Sequence, residues 1–197
     1  MSASVLAPQL AERLAAVARG GGRAAAGTLA RFVLLRSLGR EALDAAVSRV
    51  ETLREGERSA MVAILGVAGG GACAVGFELE GAAAGSLAVL FTAEESERLL
   101  EALAASSTPA AREAILSAGK GTLREIGNIV AGAFVSAVAT EGRIQLSIAA
   151  PRTIPRLTHG MLQGAIVTEI LLPAPGLSCR ILLLGRAEDL QPLAGGG

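Results

Sequence analysis

The chain has 197 residues, enough for one substantial domain or two small fused halves with a real core. Hydrophobic residues make up 51% and aromatics only 2%, with no Trp or Tyr, so the core must be built from Ala, Val, Leu and Ile, with 25 glycines permitting close backbone approach. Basic and acidic residues balance at 18 each and are interspersed, which argues against the clustered cationic stripe of a nucleic-acid binder, as the scarcity of stacking aromatics argues against single-strand binding.

Residues 8–19 read as a short amphipathic helix that Gly20, Gly21 and Gly22 close. Thr28 to about Thr52 then carries Leu29, Phe32, Val33, Leu35, Leu38, Leu43, Val47 and Val50 at an approximate helical period. Apolar runs at 61–67, 72–79 and 86–91, separated by glycines, fit strands. Thr92 opens a helix to about Ala105, with Glu95 completing a capping box, and Ser106 to Pro109 breaks the chain at its midpoint. A helix over about 110–118 follows, then a long one from Thr122 to about Thr140. Strand-like runs come at 143–149, 161–172 and 178–184, and Ala187 to Leu190 resembles a helix start.

The second half therefore repeats the first. Leu35–Arg40 aligns with Leu123–Asn128 at an offset of 88, and Ala93–Glu95 with Ala187–Asp189 at an offset of 94. The reading is an α+β fold of pseudo-two-fold helix–β-β-β–helix halves sharing one antiparallel sheet, with the long helices laid on one side. It divides into an N-terminal helix and Gly-rich linker (1–23), a domain over 24–190 with pseudo-repeats 24–108 and 109–190, and a flexible tail (191–197). Cys73 and Cys179 sit in apolar runs without metal-type spacing and read as buried small hydrophobes. The uncharged stretch from Ser59 to Phe77 is interrupted by Gly69, Gly70 and Gly71, so it reads as strands around a turn. With no secretory pattern at the N-terminus, the expectation is a cytoplasmic protein without membrane insertion.

Chemistry concentrates at Leu123–Ile129. Glu125 and Asn128 stand three positions apart in an apolar helical segment, so both heads share one face. A carboxamide both donates and accepts hydrogen bonds and can hold a water in line with a phosphorus atom, which is much of what phosphoryl transfer asks of a protein. No second carboxylate lies at a suitable spacing, and His159 is the one histidine. Catalysis would thus be simple positioning, or would borrow groups from a partner. Two structural readings stand beside this one: Thr122 and Glu125 also fit a capping box, and Asn128 fits a solvated face. The run Ala118–Gly121 lacks the upstream glycine and the Ser/Thr of a phosphate-binding loop, and Ser136 and Ser147 have no partner base.

Glu125, Asn128 and, 22 residues further on, Pro151 resemble the signature of the CheC/CheX/FliY phosphatases of chemotaxis, and the string from Leu123 to Val138 is similar to the second signature helix of CheC. The resemblance, with the duplicated element order, covers about residues 28–190. It implies dephosphorylation of the aspartyl phosphate of a CheY-type response regulator, with Asn128 orienting the attacking water and Glu125 contacting the regulator's lysine. It implies no cofactor of the chain's own, since magnesium and the phosphorylated aspartate belong to the partner. A CheD-type deamidase is a compatible further partner, and a monomer or homodimer a compatible state. The family places Asp or Ser four residues before the glutamate, where this chain has Gly121. In the first half Ser37, Arg40 and Ala63 replace the signature's Glu, Asn and Pro, so one active centre is expected. The alternative within the fold is a non-catalytic scaffold like a flagellar switch protein.

Overall fold

A computed structural model describes residues 7–34, 47–52, 73–105, 107–153, 165–172 and 177–195. In chain order these form α1 (Pro8–Leu34), β1 (Val47–Thr52), β2 (Cys73–Gly81), β3 (Ser86–Phe91), α2 (Ala93–Ala105), α3 (Pro109–Ala118), α4 (Lys120–Gly142), β4 (Leu146–Ile148), β5 (Arg152–Thr153), β6 (Ile166–Leu171), β7 (Ser178–Leu184), α5 (Ala187–Leu190) and a 3₁₀ turn at Gln191–Ala194. The expected strand run at 61–67, and Ser37, Arg40, Ala63 and His159, lie outside the described residues.

The strands form one sheet in the order β1-β6-β7-β3-β2-β4, with β5 also on β2 and every pairing antiparallel. The order reads the same from both edges once β1 is matched with β5, β2 with β6 and β3 with β7. The pseudo-two-fold axis therefore passes between β3 and β7, and the first strand of each half pairs with the other half. Cys73, Val75, Phe77 and Leu79 of β2, Leu87, Val89 and Phe91 of β3, and Cys179, Ile181 and Leu183 of β7 alternate onto one face. The buried stripes of α1 and α4 lie on it. The α+β duplication and the one-sided placement of the long helices are thus as expected.

Several boundaries differ from the sequence reading. Gly20, Gly21 and Gly22 neither end a helix nor form a linker, because α1 runs through them to Leu34. A glycine in a helix interior costs about 1 kcal/mol relative to alanine, and here packing compensates. A side chain at Gly21 would begin 2.8 Å from Phe134 Cδ2, and one at Gly20 would begin inside the Glu141 carboxylate. The glycines let α1 and α4 approach each other. The helical period from Thr28 does not extend to Thr52 either: Val47–Thr52 is an edge strand paired with β6. Its pairing with β6 along all six residues shows that tertiary pairing outweighs a loose periodicity. The presumed tail also folds in, since Leu193 of the 3₁₀ turn is buried in the core.

The capping box of α2 forms as read. The Thr92 backbone N–H donates to Glu95 Oε2 at 2.7 Å, and the Glu95 N–H donates to Thr92 Oγ1 at 3.1 Å. Pro109 stands at the first position of α3 with Thr108 as its cap, the placement at which a missing N–H costs nothing.

Candidate functional site

α3 and α4 meet at Gly119, whose φ of 38° is one that L side chains rarely adopt. The Gly119 N–H and the Thr122 hydroxyl both donate to the Ile115 carbonyl, at 3.1 and 3.3 Å. Thr122 is therefore the third residue of α4 and spends its hydroxyl on α3, so the Thr122–Glu125 capping box does not form. Glu125 is free of that local explanation.

Further along α4, Leu123, Ile126, Gly127, Val130, Ala131, Phe134, Val135 and Val138 are buried. Gly127 brings the helix down onto β2, where an added Cβ would meet the Val75 side chain at 3.1 Å. This buried stripe turns the opposite row outward. Glu125 is exposed and Asn128 is half-buried, and neither side chain has a hydrogen-bond or ion-pair partner among the described residues. Both sequence-assigned residues thus stand together outside the buried stripe of α4, Glu125 in the open and Asn128 at its edge. An amide spent on packing would be buried against the sheet.

The spacing to Pro151 has a structural cause. After α4 the chain turns at Arg143, in left-handed conformation, and returns along the sheet edge as β4 and β5. Leu79 faces Ile148 and Gly76 faces Arg152, so three residues (149–151) oppose two on β2 (77–78): one extra residue, a β-bulge. Pro151 closes it on an edge position where no N–H is required. The Glu78 carboxylate accepts from Ser86 Oγ and pairs with Arg152, tying the bulged edge to β2 and β3. Val75, on which Gly127 rests, pairs with Thr153, two residues past the proline. The signature therefore measures the path from the helix out and back to the strand beside its footing.

Two cations precede the pair. Lys120 and Arg124 are exposed, without ion-pair partners among the described residues, and lie in one row with Asn128 at successive i,i+4 positions. The Lys120 ammonium is near enough to Cys73 to oppose the upward push that burial gives that thiol. Cys179 is wholly buried, and burial together with the Glu95 charge raises its thiol far above the usual range. Both cysteines are free and serve as core residues. Among the described residues no group of three or more His, Cys, Asp or Glu is placed to hold a metal ion.

The first-half counterpart of the site was misplaced in the sequence. The buried residues of α4 match Ala18, Gly21, Gly22, Ala25, Ala26, Leu29, Ala30 and Val33 of α1 at one constant spacing of 105. That spacing also carries β5 at Arg152 onto β1 at Val47. Glu125 then corresponds to Gly20 and Asn128 to Arg23, in place of Ser37 and Arg40. The signal was available in five identities at this spacing: Arg19 with Arg124, Gly22 with Gly127, Ala26 with Ala131, Gly27 with Gly132 and Val33 with Val138.

The model of the CheC-like family matches residues 120–154, the segment from α4 through β5. A search of curated proteins finds no match. Among solved structures, the chain is similar to CheX in its complex with CheY, BeF3 and magnesium from Borrelia burgdorferi, at 19% identity and a TM-score of 0.51 over 84% of this chain and 96% of that one. FliY from Thermotoga maritima matches at 14% identity and a TM-score of 0.57 over 96% of each chain. The FliM middle domain from H. pylori matches at 9% and 0.54 over 96% of this chain and 98% of that one. At such identities the structural likeness is one of fold. The resemblance to CheC, CheX and FliY is supported by the matched segment, which holds the signature helix, and by the shared fold together.

Proposed function

We propose that this protein is an aspartyl-phosphate phosphatase acting on a CheY-type response regulator in the cytoplasm, with one catalytic centre at Glu125 and Asn128. The observation that carries this reading is the pairing of a free carboxylate and a free amide on the outward face of α4. In the proposed reaction Asn128 enters the regulator's site and its side-chain carbonyl accepts a hydrogen bond from the attacking water. The water oxygen bonds to phosphorus, the bond from phosphorus to the aspartyl oxygen breaks, the electron pair leaves with the regenerated carboxylate, and the protons of the water depart on the released inorganic phosphate. Glu125 docks against a cationic group of the regulator, by the resemblance its lysine. The regulator supplies magnesium, which neutralises charge on the phosphoryl oxygens. Alignment is the main contribution asked of this chain, as a loose phosphoryl-transfer transition state requires.

The test is decay of phosphorylated receiver proteins with wild type, Asn128→Ala and Glu125→Ala. Wild type accelerates release of phosphate. Asn128→Ala removes the acceleration, and Glu125→Ala raises KM more than it lowers kcat. Decay that is identical with and without wild type sinks the enzymatic reading.

That outcome would favour the second reading, a non-catalytic scaffold of the flagellar-switch type. It draws on the likeness to the FliM middle domain and on the loss of Glu and Asn at Gly20 and Arg23. Docking of a CheD-type deamidase is compatible with either.

A further inference from the structure

Lys120 and Arg124 contradict the physics of an isolated helix. They stand in the first and second turns of α4, where the backbone dipole is positive and acidic residues are favoured, and where α2 carries Glu94 and Glu95. The first turn of α4 contains no acidic residue. The two cations are also i,i+4 neighbours, a spacing at which like charges repel. Both are exposed without a carboxylate partner among the described residues, so no local ion pair offsets the cost. A rule broken in a helix that otherwise packs regularly points to a use outside the chain.

The adjoining residues indicate that use. Arg124 precedes Glu125 and lies one turn before Asn128. If the phosphatase reading holds, on which this inference rests, α4 must come up to a phosphoryl anion, and Arg124 is the cation of α4 nearest in sequence to Glu125 and Asn128. We propose that Arg124, assisted by Lys120, is the electrostatic docking determinant of this site: it draws in the phosphorylated receiver surface, while Glu125 engages the cationic group there. A guanidinium is suited to this because it stays charged and presents a planar fork of donors to phosphoryl or carboxylate oxygens. Such a contact acts on encounter and on discrimination between phosphorylated and free partner, and it weakens with salt. Arg124 is a docking residue in this scheme and Asn128 the positioning one.

The experiment is steady-state turnover of a phosphorylated receiver protein that the wild type dephosphorylates, for wild type, Arg124→Lys, Arg124→Gln, Arg124→Glu and Lys120→Gln/Arg124→Gln, at two or more ionic strengths. Thermal unfolding of each variant reports folding independently. The expected result at low salt is a KM raised roughly three- to tenfold for Arg124→Gln, and more for Arg124→Glu and the double variant. Meanwhile kcat stays within about twofold, Arg124→Lys, which keeps the charge but not the fork, falls between wild type and Arg124→Gln, and the salt dependence of kcat/KM is flattened in the neutralised variants. Arg124→Glu with the wild-type KM and salt dependence overturns this inference and leaves the phosphatase reading standing. A wild type that accelerates no receiver overturns that reading, and this inference with it.

Discussion

Single residues on α4 show how the outward row is kept clear. Gly121 and Gly132 each have nothing within 4 Å of an added Cβ, whereas Gly127 presses on Val75. The buried glycine is required by packing, and the other two, Gly121 exposed and Gly132 half-buried, are open positions on the face that carries Glu125 and Asn128. Gly121 is where the family places Asp or Ser, and space does not forbid either. An aspartate there would sit in the first turn, near the positive end of the helix dipole and close to Lys120. Gly121→Asp should therefore stabilise the fold by about 0.5–1.5 kcal/mol, from improved helix propensity and the dipole together. Thermal unfolding would register this as a rise in Tm, and a fall would mean that helix propensity and the dipole do not govern this turn. Asn128→Ala should leave the free energy of unfolding within about 0.5 kcal/mol of wild type, since the amide has no partner among the described residues to lose.

Whole elements were legible where their signals are local and obscure where the cause lies far along the chain. Strands β3 and β7 and the capped helix α2 follow from short apolar runs, composition and the Thr92–Glu95 box, all within a few residues of the structure they specify. The signature face was legible because two polar heads at i and i+3 stand out on an apolar helix. The continuity of α1 was not, because the reason for Gly21 is the ring of Phe134, more than a hundred residues away. The same gap hid the true register of the duplication: five identities are few against a background of alanine and glycine. What decides α1 can be tested on its glycines. Gly21→Ala gains helix propensity but forces Phe134 aside, and overpacking of this kind costs about 1–3 kcal/mol. Gly27, with nothing within 4 Å, lacks that penalty, so Gly27→Ala should gain about 0.5–1 kcal/mol. Adding Phe134→Leu to Gly21→Ala should recover part of its loss in a double-mutant cycle. Glycines that only terminated a helix would give Gly21→Ala and Gly27→Ala the same sign.

At the scale of the molecule, two halves that exchange strands must also be tied through their helices, and one carboxylate does this. Glu95 caps α2 of the first half through Oε2, while its Oε1 accepts from Ser178 Oγ at 2.5 Å and Arg180 Nη1 at 2.9 Å on β7 of the second. Arg180 reaches on to Glu169 at 3.0 Å, its cross-strand partner on β6. The Glu95 and Arg180 side chains retain only 10% and 13% of their exposure, so little water is at hand to replace a lost partner. Removing one member of a largely buried pair costs about 3–5 kcal/mol, mostly because the other charge is stranded. Glu95→Ala, which also loses the cap, should fall in that range. Glu169→Ala should cost less, about 1 kcal/mol, because Glu169 is more exposed and Arg180 keeps Glu95. Replacing the guanidinium as well, in Glu95→Ala/Arg180→Met, should restore part of the loss by removing the stranded cation. Chemical denaturation of wild type, Glu95→Ala, Arg180→Met and the double variant reads this directly. Additive losses in the double variant would mean that Glu95 acts through the helix cap alone, leaving the shared sheet to hold the halves together.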